Sequence, residues 1–411
     1  MSETAVTETA PVRERGPSFP NLDAYRSLGM LMIMTTHVSY ATGLQYRSIV
    51  GVVFARFDVG LPVFFMVSGF LLYRQYVMAV LRGDAQPSTA TFLKKRLLRI
   101  VPGYWFALIG IAIIFGLPLY QHGSKLLTNG NPSAWMWFLF LNLLHTFRSS
   151  TGFQGITQSW SIGVELGFYL LLPGFAALMR RWIRNSSMDT QIRRMLLVCA
   201  GLYAAGEAWR VGIVWAKPGW LQSAIFWFPS HLDFFAIGMG FAVLSAAHQL
   251  GRPLPRPLEY LGRKPWIAWL IALALFIVVV NPHGFENSVS SLFSIFNAPL
   301  TITKEYPARQ FVYGIAGAFY LLPAVFGPQR DGLIRRFLSS KLLVWGGGIS
   351  YGFYLWHLAF LGQAEKWTHA GFFRGPFVKM WLITLGLSLV AGTFSHYVVE
   401  RPFLRLKAKA R

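Results

Sequence analysis

Apolar runs close to the length of a bilayer recur along this whole chain. They fall at about 22–43, 50–73, 101–119, 132–147, 161–179, 195–215, 223–248, 266–281, 307–327, 342–362 and 377–398, where a helix needs roughly 20 residues to cross the hydrocarbon core. Polar or Gly/Pro-rich connections separate them, and no period suggests soluble repeats. The expectation is an all-α, polytopic integral membrane protein. Composition agrees: 54% of the 411 residues are hydrophobic and only 13% are charged, against about a quarter charged in a soluble domain.

The formal charge is +22. No stretch is polar and long enough to fold as a soluble basic domain, so no nucleic-acid partner is expected. The charges instead sort by loop. Basic clusters lie at Arg74–Arg99, Arg180–Arg194, Arg252–Lys264, Arg330–Lys341 and Arg401–Arg411. Placing them and the N-terminus in the cytoplasm puts about 27 of the 38 Lys and Arg inside, as the positive-inside rule asks. That arrangement requires 132–147, a short segment containing Asn142 and His145, to be re-entrant or interfacial. It gives about ten crossings in the plasma membrane with both termini cytoplasmic. Residues 1–20, polar and Pro-rich, read as a disordered cytoplasmic tail, and 405–411 as a basic one. Within 82–100, Ser88 or Thr89 is placed to cap a short amphipathic helix whose basic face meets anionic lipid or a phosphate ligand.

Ionisable groups inside spans are candidates for function. Arg26 and His37 are eleven residues apart, which is three helical turns plus about 20° and a rise of about 16 Å. One face therefore carries a cation near the inner surface and an imidazole farther out. The pair suits a long, thin ligand with an anionic head and a reactive tip; a snorkelling arginine and a hydrogen-bonded core histidine is the plainer alternative. The other polar groups form two layers. The outer one holds His37, Gln158 to Glu165, His231 with Asp233, and His357; the inner one holds Arg26, Arg96, Arg99 and Glu400-Arg401. Glu165 needs a partner in its span, His37 or an Arg or Trp donor, or else must be protonated. His231 and Asp233 line the outer mouth or cap a helix. His122, His145, His248, His283, His369 and His396 lie near span ends and read as surface or interfacial. No His-Glu-x-x-His spacing occurs, so no metal is expected, and no phosphate loop is present. Cys199 reads as a packing residue, and Gly346-Gly347-Gly348 as a tight helix entry or close packing.

Six segments, in order, resemble the motifs of the membrane-bound acyltransferase-3 family. They are Arg26 to His37 as its Arg-x10-His; Asp58-Val-Gly60 to Phe64-Phe65-Met-Val-Ser68-Gly69; Arg96-Leu-Leu-Arg99 with Pro102; Trp160-Ser161-Ile-Gly-Val-Glu165; Ser350-Tyr351 to Tyr354-Leu-Trp356-His357; and Val399-Glu400-Arg401-Pro402. The likeness covers about 20–404, so that 21–404 is the expected acyltransferase-3 transmembrane domain. The sequence departs at Leu166, where many members have a second acidic residue, and at Pro62-Val63, where many have an Asp. With Arg411 shortly after the last span, the chain resembles the stand-alone form without an extracytoplasmic hydrolase-like domain.

The resemblance implies transfer of an acyl group from cytoplasmic acyl-CoA to a hydroxyl of a lipid-linked sugar, glycolipid or polysaccharide. Arg26, Arg96 and Arg99 would meet the phosphates. His37 would act as general base or acyl carrier, with Glu165 orienting it. Trp160, His231, Tyr354, Trp356 and His357 would shape the acceptor site, or in the case of the aromatics simply pack. Ser68 and Gly69 would allow close helix approach. Two other readings share parts of the pattern: a secondary transporter or flippase, which predicts inverted repeats that are not seen, and acylation of a macrolide-like small molecule.

Overall fold

The computed structural model describes residues 19–116, 119–120, 126–127, 132–148, 151–217, 220–280, 306–328, 332–369 and 375–409. Of the tail expected to be disordered at 1–20, residues 1–18 lie outside the described residues, as do His122 and His283. The chain is helical almost throughout: α1 (Asn21–Thr42), α2 (Ile49–Ala55), α3 (Gly60–Arg82), α4 (Thr89–Phe115), α5 (Ala134–Leu141), α6 (Trp160–Ile183), α7 (Met188–Ala216), α8 (Leu221–Ala224), α9 (Leu232–Gln249), α10 (Arg256–Arg263), α11 (Pro265–Val280), α12 (Tyr306–Val325), α13 (Leu333–Leu338), α14 (Lys341–Trp367), α15 (Phe377–Phe394) and α16 (Arg401–Lys409). A two-residue antiparallel ladder joins Leu119–Tyr120 to Leu126–Leu127.

Among the described residues six helical stretches are long and apolar enough to cross a membrane, or seven if the bent pair α10 and α11 is one span. α1, α12 and α14 have the length but carry polar residues. Ten crossings therefore stays a proposal resting on the charge distribution. The outward faces are apolar: Ile113 is 79% exposed, Leu178 68% and Val390 72%, as suits contact with lipid rather than water.

The segment 132–147 does not cross as a helix. α5 has eight residues, about 12 Å of rise against a core of about 30 Å. Ser133 caps its start, and the chain turns back at Leu143, whose φ is 59°. The amphipathic helix expected within 82–100 is not separate. Ser88 caps α4, and the helix then runs unbroken through Pro102 into the span, so Arg96 and Arg99 stand on the same rod as the membrane-crossing residues. At the far end the chain stays helical through Lys409, after a π-helical stretch, Ser395–Glu400.

Helix pairs α1–α14, α3–α9, α7–α9, α14–α15 and α11–α12 form the principal contacts. Several crossings depend on glycine. A side chain at Gly347 would overlap the Asp23 carbonyl of α1, and one at Gly238 the Met66 carbonyl of α3. Gly69 meets the Phe235 carbonyl in the same way. Of the pair expected to allow close approach, Gly69 does so and Ser68 hydrogen-bonds instead.

Candidate active site

Five helices bring one stripe each to a single cavity. α1 contributes Arg26 and Ile33; α3 contributes Leu61, Phe65, Ser68 and Leu72; α4 contributes Arg96 and Arg99; α6 contributes Ser161, Glu165 and Tyr169; α14 contributes Ser350 and Tyr354. These positions recur at three, four or seven residues, which is one face of a helix. The polar lining was thus set by sequence spacing, each helix turning its mixed stripe inward and its apolar side to lipid. The empty volume is ≈ 900 Å³ with the open mouth included.

Charge in the cavity is unbalanced. Arg26, Arg96 and Arg99 face one carboxylate, Glu165. Arg26 also pairs with Asp23 at 3.1 Å. Arg96 lies over the rings of Phe92, at 5.8 Å, and Tyr169, at 6.0 Å, and its buried Nε has no hydrogen-bond partner among the described residues. Among those residues neither Arg96 nor Arg99 makes an ion pair. Glu165 accepts two hydroxyl hydrogen bonds, from Ser68 at 2.6 Å and from Tyr169 at 2.5 Å. The arrangement is a positively charged recess ready for an anion with several oxygens.

The cavity stops at Ile33 and Tyr354, one turn short of a histidine pair. His37 Nδ1 is 2.8 Å from His357 Nε2, with the ring centroids 5.0 Å apart and the ring planes 26° apart. His357 Nδ1 is 2.6 Å from the Tyr354 carbonyl oxygen. His357 is buried and His37 partly exposed. Tyr354 itself is held by α6: its hydroxyl donates to the Gln158 carbonyl at 3.0 Å and pairs with Ser161 at 2.9 Å, while Gln158 donates to the Tyr354 and Leu355 carbonyls, both at 2.8 Å.

This geometry redistributes several expected roles. The partner of His37 is His357, not Glu165. Glu165 lies with the arginines rather than in the outer layer, because it is a full turn deeper along α6 than Ser161. Trp160 and His231 stack on each other at 5.4 Å behind Phe65, which is 5.2 Å from His231; they back the cavity wall instead of forming it. Trp356 points the other way, onto Gly110 and Phe106 of α4. Asp233 does not act with His231. It takes both terminal nitrogens of Arg210, each at 2.9 Å, with both side chains fully buried. Arg210 also reaches the Ser230 carbonyl and Glu207. His145 is fully buried, not interfacial, and bonds Ser159 at 2.9 Å, tying the turned-back segment to the start of α6. His396 sits beside Glu400 at 3.4 Å. Among the described residues no group of three or more His, Cys, Asp or Glu is placed to hold a metal.

Sequence reasoning passed over Ser68 as a hydrogen-bond donor, Tyr169 as a partner of Glu165, and Arg210. Signals for two of them were present. Tyr169 is four residues after Glu165, within reach on the same helix face, and an arginine inside the apolar run 195–215 demands a carboxylate partner.

The profile of a family described as an acyltransferase domain matches residues 19–398. The chain belongs to the acyltransferase-3 family. Its family relatives include the peptidoglycan O-acetyltransferase OatA of Listeria monocytogenes, 21% identical over 82% of this chain and 48% of that protein. They also include the acyltransferase MdmB of Streptomyces mycarofaciens, 25% identical over 95% of this chain and 93% of that protein. A third is the putative peptidoglycan O-acetyltransferase YrhL of Bacillus subtilis, 21% identical over 93% of this chain and 54% of that protein. The chain thus spans about half the length of the two peptidoglycan-named relatives. No solved structure matches it. Within this acyltransferase-3 chain, the recess and the histidine pair draw on the segments Arg26 to His37, Arg96 to Arg99, Trp160 to Glu165 and Ser350 to His357.

Proposed function

We propose that this chain is an integral-membrane O-acyltransferase. It moves an acyl group, such as acetyl or succinyl, from acyl-CoA on the cytoplasmic side to a hydroxyl of a cell-envelope carbohydrate or glycolipid. The observation that carries the reading is the convergence of Arg26, Arg96 and Arg99 on a recess that ends one turn from His37. Coenzyme A offers several phosphates at one end and a thioester at the other, and the rise from Arg26 to His37, about 16 Å, suits the arm between them. The domain is taken as 21–404, with ten crossings of the plasma membrane and both termini cytoplasmic.

In the proposed reaction the acceptor hydroxyl gives its proton to His37 while its oxygen bonds the acyl carbon. The C–S bond breaks, and the departing thiolate takes the proton from His37, so the histidine ends as it began. Glu165, fixed by Ser68 and Tyr169, balances part of the arginine charge and is assigned to the donor end. Tyr354 lines the passage to His37; Trp160 and His231 support its wall. The second reading is a small-molecule acceptor; it draws on the likeness to MdmB, which extends over 93% of that acyltransferase, where the peptidoglycan-named relatives are matched over about half.

The test is transfer of radiolabelled acetyl from acetyl-CoA by the full chain in nanodiscs, with mass spectrometry of envelope glycolipids from a deletion strain and its parent. An acetyl-sized mass loss on a glycolipid supports the first reading. Solute uptake by proteoliposomes without any acyl-CoA would replace it with a transporter.

A further inference from the structure

We infer that His357 is the positioning residue that fixes the proton on His37, through a relay of two imidazoles ending on a backbone carbonyl. The inference rests on His37 being the base of the proposed reaction. The Tyr354 carbonyl oxygen can only accept, so the nitrogen 2.6 Å from it, His357 Nδ1, carries hydrogen. A neutral imidazole has one N–H and one acceptor nitrogen, which leaves His357 Nε2 as the acceptor. Its neighbour at 2.8 Å is His37 Nδ1, which must therefore be the donor. His37 Nε2 is then left without hydrogen, on the ring that remains partly exposed while His357 is buried. It is the nitrogen able to receive a hydroxyl proton.

The logic is that of a carboxylate behind a catalytic imidazole, with a neutral imidazole and a carbonyl in the carboxylate's place. When His37 Nε2 takes the acceptor's proton, the imidazolium keeps its Nδ1–H bond to His357, and no second charge is buried beside it. The relay is rigid. Gln158 Nε2 holds the Tyr354 carbonyl from the other side, at 2.8 Å, and the Tyr354 hydroxyl is anchored on α6 at Gln158 and Ser161. Gln158, two residues before Trp160, is thereby joined to the segment Ser350 to His357 at one carbonyl.

The test compares His357→Leu, His357→Gln and His357→Asn with His37→Ala in the full chain in nanodiscs, using acetyl-CoA as probe. A glutamine oxygen reaches the place of His357 Nε2 and can accept from His37; an asparagine amide reaches only the place of Nδ1. Solid-state 15N spectra of histidine-labelled protein should show His37 protonated at Nδ1 in the wild type and in His357→Gln. That preference should be lost in His357→Leu and His357→Asn. Turnover, read as thiol release and acetyl transfer, should fall about 10- to 100-fold in the latter two and recover at least partly with glutamine, while the KM for acetyl-CoA stays within about twofold; a positioned base is worth roughly 10²–10⁴ in rate. His37 found protonated at Nε2 in the wild type, or His357→Leu turning over like the wild type while His37→Ala is dead, overturns the relay. An active His37→Ala instead removes the base reading, and the spectra then still decide the relay.

Discussion

Replacing Arg96 by Ala tests the donor end of the site most directly. Its guanidinium is already oriented without a ligand, flanked by Phe92 and Tyr169 and with Nε unpartnered, so a phosphate would bind it with little reorganisation. A hydrogen bond to a charged group contributes about 1.5–3 kcal/mol, which is roughly a 10- to 150-fold change in Kd. Arg26 should matter less, below about tenfold, because it exchanges an existing contact with Asp23 at 3.1 Å. The double variant Arg96→Ala with Arg99→Ala should lose at least about 100-fold, with less than additive effect if both hold one phosphate. Arg96→Lys should be intermediate, since it keeps charge but loses the planar fork. The assay is equilibrium binding of radiolabelled acetyl-CoA to nanodisc protein at low and high salt, with CoA lacking its 3′-phosphate as a second ligand. A folded double variant with unchanged donor Kd would refute the phosphate assignment and leave the recess without its proposed ligand.

Four further outcomes are expected. His37→Ala should abolish acetyl transfer while acetyl-CoA still binds; retained transfer removes His37 from the reaction. Glu165→Gln keeps an acceptor oxygen for Ser68 and Tyr169 but removes the negative charge, so donor binding should tighten and turnover should fall; weaker donor binding contradicts its placement among the arginines. Asp233→Ala leaves the buried Arg210 with only Glu207 and the Ser230 carbonyl and should destabilise the protein by about 1–3 kcal/mol, read as a drop in thermal midpoint in detergent. Gly347→Val pushes α1 from α14 and should cost about 1–3 kcal/mol, with a loss of turnover; a variant with wild-type stability and rate would show that the close crossing is dispensable.

The helices were legible because membrane spans announce themselves by length and apolarity, and the segment around His145 because it was short and polar. Arg26, Arg96 and Arg99 were also legible as a group, since charges in or beside spans are few. The partners were not. Which side chain faces His37 depends on the rotation of α14 about its axis, and a likeness of motifs gives order along the chain, not azimuth. Glu165 looked like a partner for His37 because both stood near the outer ends of their spans. One helical turn of depth and two nearby hydroxyls decided otherwise. His145 was misplaced for a related reason: a turned-back segment buries what a loop would expose, and the turn at Leu143 leaves no periodicity to read.

Donor recognition and proton transfer are set by the same helix pair. α1 carries both Arg26 and His37, and α14 carries both Tyr354 and His357. The two helices run in the same direction, since Asp23 meets Gly347 near their starts and His37 meets His357 farther along. Their register is locked where Gly347 touches the Asp23 carbonyl and Gly346 touches Ser27. A slip of one residue would move a side chain by about 1.5 Å and 100°, enough to break a 2.8 Å contact. The small residues that begin α14 therefore govern the geometry of a histidine pair some 15 Å away along the same rod, ten residues at about 1.5 Å each. Substituting them should change the state of His37 and the placement of Arg26, both on α1, before it changes Arg96 and Arg99, which stand on α4.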